Sequence, residues 1–227
     1  MADLTLVIGN KNYSSWSMRP WVLLRQLGIP FAEVKLRFHS DEWDANIGRW
    51  SPSGLVPVLW RDKIAVWDSL AILETVHDWF PDRGVWPADP AARAFARSAA
   101  AEMHAGFRDL RTQMPMNIRA SHPGKGMTPE VRANIDRIEQ LWSTARSRFG
   151  SAGDFLFGPF CAADAMFAPV VMRFATYGVN CGAVAQRYCA AMQAAPGIRA
   201  WIEGALAETE FVAEDEPYAE PPEKGKG

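Results

Sequence analysis

Three serines within four residues, Ser14, Ser15 and Ser17, followed by Arg19 and Pro20, are the side chains whose types and spacing could do chemistry. A short apolar run precedes them and helical spacing follows, so they sit where a loop turns into a helix. The first backbone N–H groups of a helix are unpaired and point into the preceding loop, and the helix dipole adds partial positive charge there. Such an end favours an anion: a thiolate, a carboxylate or a phosphate. A serine hydroxyl beside it can donate a hydrogen bond to the same anion. The same serines could equally do no more than cap the helix, and the local sequence leaves both readings open.

Composition narrows the classes of partner. A chain of 227 residues can form one large domain or two small ones. A formal charge of −2 and a pI near 6.1 supply no general attraction to nucleic acid or to an anionic membrane. Cys161, Cys181 and Cys189 form no CxxC pair and suggest no disulfide framework, which fits a reducing compartment. His39, His77, His104 and His122 lack metal-ligand spacing, so no metal site is expected. The sequence shows no signal-peptide pattern and no stretch long and apolar enough to span a membrane; the expected location is the cytoplasm. The ten tryptophans are expected mostly in the core.

The elements that must position the serines read as follows. Leu4 to Gly9 is a buried strand, and a helix from about Ser17 ends at Gly28. Ala32 to Phe38 alternates as a half-buried strand, completing a βαβ unit with a parallel pair. A short helix is expected over 41–49, then a hairpin of Val56 to Trp60 and Ile64 to Trp67, then a helix over 70–79. The order is βαβαββα. After a Pro- and Gly-bearing linker, Asp89-Pro90 opens a long helix expected to run over 91–113, with Met103, Phe107, Arg111 and Met114 near one face. Further helices are expected from Pro129, over 162–177, 183–194 and 198–208. The divisions are 1–80, a linker 81–89, an all-helical part 90–212 and a flexible tail 213–227.

Two further groups carry chemistry. Asp68 and Ser69 stand where the hairpin meets a helix; either could be its N-cap, while a carboxylate and a hydroxyl at a helix start could also hold an ammonium and a carboxylate. Val56-Pro57 precedes a strand. These groups, the βαβαββα order, and the run Gly158-Pro159-Phe160-Cys161-Ala162-Ala163-Asp164 together resemble the glutathione S-transferase superfamily. The resemblance covers roughly residues 3 to 212 and implies a thioredoxin-like α/β domain followed by an all-α domain. Ser14-Ser15-Trp16-Ser17-Met18-Arg19 is similar to the motif of zeta-like and related serine classes.

What the resemblance implies is specific. Ser14, five residues before the Arg, would activate the sulfur of glutathione, with Ser15 as the alternative. A cis Val56–Pro57 bond would turn the Val56 backbone towards the cysteinyl backbone, and Asp68-Ser69 would hold the γ-glutamyl end. Trp16 and His39 are further candidates for glutathione contacts, and Phe107 and Arg111 for the acceptor pocket between the domains. Cys161 stands where the family has a Ser or Thr cap. Leu55 replaces a residue that is often polar. Zeta isomerases carry Cys where this chain has Trp16, which puts that activity in question. The expected function is a glutathione transferase acting on an apolar electrophile, with glutathione as co-substrate and no metal. A homodimer is expected from the family. The alternatives are a non-catalytic glutathione- or partner-binding module and a glutathione-dependent isomerase.

Overall fold

The computed structural model describes residues 3–219. Strands β1 (Leu4–Ile8), β2 (Ala32–Lys35), β3 (Val58–Arg61) and β4 (Ile64–Val66) form one mixed sheet in the order β2-β1-β3-β4. β1 and β2 pair in parallel, with Val7 opposite Val34, and helix α1 (Ser15–Gln26) makes the crossover. β3 pairs antiparallel with both β1 and β4. Alternation along β1 splits the core between the two faces of the sheet. Leu4, Leu6 and Ile8 join Leu59 and the buried side chains of α1 and α3 (Ser69–Trp79). Val7 and Val58 face the other way, where Trp43, Ile47 and Trp50 of α2 (Asp41–Trp50) cover them.

The rest is helical: α4 (Pro90–Ala105), α5 (Arg108–Gln113), α6 (Pro129–Phe149), α7 (Ala162–Tyr177), α8 (Ala183–Ala194) and α9 (Pro196–Leu206). Helix α7 is buried along nearly its whole length and is the axis of this part. Its N-cap is Cys161, and Asp164 closes the first turn by accepting from Cys161 N at 2.9 Å and, through its other oxygen, from Leu156 N at 3.1 Å. Helix α1 packs on α7 and α9 as well as on α3, so the serine-bearing loop is held between the two halves.

Four expectations change. Helix α1, expected from about Ser17, begins at Ser15 with Ser14 as its cap; Pro20 therefore lies more than one turn inside. The long helix expected over 91–113 breaks at Gly106, where a Cβ would stand 2.7 Å from the Glu102 carbonyl, and at Phe107, whose φ is +56°. β2 ends at Lys35 rather than Phe38. Residues 213–219, assigned to the tail, form a turn at Ala213–Asp215 and contact the body: Glu216 accepts from Tyr13 OH at 2.6 Å, and Tyr218 OH donates to Gln113 O at 2.7 Å. The remainder of that tail, 220–227, lies outside the described residues.

Candidate functional site

The loop between β1 and α1 is shaped by its own hydrogen bonds. Asn10 O accepts from Tyr13 N at 3.2 Å and from Ser14 N at 2.8 Å, closing a turn that presents Ser14 at the start of α1. Ser14 Oγ accepts from Ser17 N at 3.4 Å and donates to Ser17 Oγ at 2.7 Å, while Ser17 Oγ accepts from Gly9 N at 3.2 Å. Ser14 and Ser17 therefore satisfy each other inside the protein. Ser15, first residue of the helix, has no hydroxyl partner among the described residues and lines the adjoining cleft. A Cβ on Gly9 would stand 2.3 Å from the Phe38 ring, so a larger residue there would have to move that ring, which lines the cleft.

That cleft has a volume of about 410 Å³. Tyr13, Ser14, Ser15 and Trp16 come from the loop and the start of α1; Phe38, Trp43, Leu55 and Val56 come from the sheet side. Arg111, Pro115, Met116, Arg173 and Asp215 close it from the helical side. The Val56–Pro57 bond is cis, and neither the N–H nor the C=O of Val56 has a partner among the described residues. Leu55 is 67% exposed and brings no polar group to the cleft rim.

Trp16 connects the cleft to Asp68 and Ser69. The guanidinium of Arg19 lies 4.2 Å from the centre of its ring, that of Arg111 lies 5.2 Å away, and the His104 ring meets its edge at 5.4 Å. Arg19 Nη1 donates to Ser69 Oγ at 3.4 Å, and His104 Nε2 is 2.7 Å from Asp68 Oδ2. Asp68 is the N-cap of α3, its Oδ1 accepting from Leu70 N at 3.0 Å and Ala71 N at 3.5 Å. One Asp68 oxygen thus caps α3, and the other lies beside the His104 ring.

Positive charge dominates this region. Arg19 is fully buried and its Nε and Nη2 have no partner among the described residues; burial, then the neighbouring Arg173 and Arg111, push its pKa down to about 9. Burial, then Arg111, lowers Arg173 to about 10. Arg173 Nε donates to Met114 O at 2.8 Å and Nη1 to Pro169 O at 3.3 Å, leaving Nη2 without a partner among the described residues. Asp215 is the acidic side chain on the cleft wall, and burial raises its pKa to about 6 against the pull of Arg173. A buried guanidinium with unpaired donors is costly unless an anion reaches it. The unpaired donors of Arg19 lie beside the Ser69 hydroxyl at the start of α3, where an anionic group would satisfy them.

The structure brings Ser14, Ser15, Trp16, Val56 and Arg111 to one cleft, with Asp68 and Ser69 joined to it through Trp16, Arg19 and His104. Pro57 follows Val56 at the start of β3. Two candidates stand elsewhere. His39, on a residue with φ +55°, points outwards to Glu214 at 3.6 Å, and Phe107 caps α5 and packs into the core because the helix breaks before it. Sequence reasoning missed Arg173, His104 and Asp215. A lone arginine within the apolar run of α7 was a usable signal, since a buried charge needs a reason; Asp215 carried none. A larger cleft of about 490 Å³, near Trp86, Phe149 and Phe160, offers only the buried Cys161 thiol, which burial pushes well up, and Asp89, already the cap of α4.

Residues 13–79 match the family profile described as the N-terminal domain of glutathione S-transferase, and residues 125–204 that of its C-terminal domain; together they cover well over half of the chain. Among curated proteins, the chain is 39% identical over 88 residues to Protein LigF of a Sphingobium strain, spanning 36% of this chain and 33% of that protein. It is 29% identical over 96 residues to a Caenorhabditis elegans protein named "Probable maleylacetoacetate isomerase", spanning 42% of this chain and 44% of the relative. The matches thus span less than half the length of these relatives. Among solved structures, maleyl pyruvate isomerase, a bacterial glutathione S-transferase in the zeta class, superposes with a TM-score of 0.68 at 18% identity, over 91% of this chain and 100% of that one. A Burkholderia glutathione transferase homologue with bound glutathione gives 0.66 at 22% identity, over 90% and 99%. At these identities the structural likeness bears on the fold.

Proposed function

Because the chain belongs to the glutathione S-transferase family, we propose that it is a glutathione transferase whose sulfur-activating group is the Ser15 hydroxyl. The observation that carries this reading is the division of labour between neighbouring serines: Ser14 gives its proton to Ser17 at 2.7 Å, while Ser15 faces the cleft without a partner among the described residues. The reading prefers Ser15 to Ser14, the order reversed from the motif-based expectation.

Glutathione is a substrate here, and the residues present suit it. The unpaired Val56 backbone suits its cysteinyl amide, Asp68 its ammonium, and Ser69 with the under-bonded Arg19 its γ-glutamyl carboxylate. Ser15 donates to the sulfur, and the start of α1 adds its dipole. A fall of about two units from a thiol pKa of about 8.5 requires roughly 2.7 kcal/mol, within reach of one charge-assisted hydrogen bond plus a helix end. The thiol proton leaves to solvent. The sulfur lone pair then forms a C–S bond to an electrophilic carbon, whose leaving group departs with its bonding electrons.

The acceptor's apolar body would lie against Trp16, Pro115 and Met116, and an anionic group on it would meet Arg111 and Arg173. This refines the apolar electrophile expected from the sequence to an amphiphilic one. The proposal extends to residues 1–80 as the glutathione-holding part, 81–89 as linker, 90–212 as the acceptor side, and a cytoplasmic location. It includes a homodimer, supported by Ile64 and Trp67, which are 57% and 47% exposed at the β4 edge of the sheet.

Ultraviolet absorbance of the glutathione thiolate across pH tests the reading. Wild type lowers the thiol pKa, Ser15→Ala loses most of the shift and Ser14→Ala keeps it. An unshifted pKa in wild type would leave a binding module in place of an enzyme.

A further inference from the structure

Residues 208–218 form a strap that returns from α9 across the serine loop, and its anchors are numerous. The buried Glu208 carboxylate accepts from Lys11 N at 2.8 Å, Asn12 N at 3.0 Å and Lys35 Nζ at 3.0 Å. Arg119 donates to the carbonyls of Glu208 and Glu210 and, at 2.8 Å, to Tyr13 OH. Glu214 is paired with His39 at 3.6 Å, and Glu216 accepts from Tyr13 OH at 2.6 Å. Both neighbours of Asp215 are therefore tied to the sheet-bearing half, and Asp215 between them lines the cleft together with Arg173, whose charge acts on it.

We infer that Asp215 is a specificity-determining residue of the acceptor cleft: it supplies the counter-charge to Arg111 and Arg173 and so limits the cleft's preference for carboxylate-bearing acceptors. The inference rests on the transferase reading above. The two arginines and Asp215 are the charged side chains lining the cleft, and with Asp215 ionised they sum to a single positive charge. Without that carboxylate the cleft would carry two positive charges, and an acceptor carboxylate would bind with less competition. Because Asp215 forms no direct ion pair with either arginine among the described residues, its effect is on charge selection and not on the packing of Arg173, which Met114 O and Pro169 O hold.

The test compares 4-chloro-3-nitrobenzoate with its neutral amide, both as acceptors and as preformed S-aryl glutathione conjugates. Calorimetric Kd values for the two conjugates are measured with wild type, Asp215→Asn and Asp215→Glu. In Asp215→Asn the binding preference for the carboxylate conjugate over the amide rises about tenfold, on the order of 1.4 kcal/mol, and Asp215→Glu returns towards wild type. Equal changes for both conjugates, or none, overturn the inference and leave Asp215 a structural residue of the strap. Turnover is read separately. If wild type binds the conjugates but turns over neither acceptor, the transferase reading fails while the charge test still stands.

A second measurement needs no variant that might be poorly folded. In wild type the carboxylate preference rises as pH falls through about 6, where Asp215 gains its proton. The groups around it are Arg111 on α5, Arg173 on α7, Tyr13 on the serine loop, and His39, Glu214 and Glu216 along the strap. All are retained in Asp215→Asn, so that variant isolates the contribution of Asp215 by losing the rise. A preference independent of pH in wild type counts against the inference.

Discussion

Ser14 Oγ lies 2.7 Å from Ser17 Oγ, one turn apart at the start of α1, and this contact separates two serines that the sequence makes look equivalent. Loss of an N-cap hydroxyl costs about 1 kcal/mol. Ser14→Ala is therefore expected to lower stability by about that amount in urea unfolding, while Ser15→Ala, which removes no cap, changes it by less than about 0.5 kcal/mol. A larger loss in Ser15→Ala than in Ser14→Ala would reverse the assignment of roles.

Arg19 is buried with two of its nitrogens unpaired among the described residues, so its charge is costly unless an anion reaches it. Arg19→Met is expected to keep or raise the thermal midpoint while weakening glutathione binding about tenfold, measured by calorimetry. Equal losses of stability and affinity would mean that Arg19 serves packing alone.

Glu208 holds two backbone N–H groups of the serine loop. Glu208→Ala leaves both unpaired, that of Asn12 fully buried and that of Lys11 partly so, and a cost of roughly 2–4 kcal/mol is expected. Glu208→Gln keeps one acceptor and should lose less than half of that. Thermal unfolding of both variants, with thiolate absorbance as a second readout, checks the order.

Asp164 is fully buried at the start of α7, and burial raises its pKa to about 6 against the pull of its backbone donors. A carboxyl whose pKa is higher folded than unfolded binds more protons in the native state. Its stabilising contribution is present below about pH 4 and is lost as pH rises through about 6, on the order of 3 kcal/mol in total. The stability difference between wild type and Asp164→Asn should therefore shrink as pH rises from 4 to 7. A difference that grows would show the carboxylate to be the favoured native form.

Leu55 stands exposed on the cleft rim where a polar side chain could reach a bound peptide. Leu55→Gln is expected to lower the KM for glutathione a few-fold with little change in kcat or stability. An unchanged KM would mean that glutathione makes no side-chain contact there.

Much of the fold was legible because its signals are local. The apolar run of β1, the alternation in β2, Asp89-Pro90 before α4 and Pro129 at the start of α6 all act through neighbouring residues. The break at Gly106 and Phe107 was not legible, since Phe107 continues an apolar helical stripe, and its positive φ accompanies packing into a core assembled from distant elements. That break removed Phe107 from the cleft wall and left Arg111 on it.

The sequence alone determined that a hydroxyl-rich helix start, Val56-Pro57 and Asp68-Ser69 belong to one βαβαββα domain, because period and turn chemistry need no distant partner. Only the tertiary structure decided that Ser14 is engaged with Ser17 while Ser15 has no hydroxyl partner among the described residues, and that Arg111, Arg173 and Asp215 line one cleft with them. Those outcomes depend on contacts between residues as far apart as Tyr13 and Glu216, and on desolvation that no local pattern encodes.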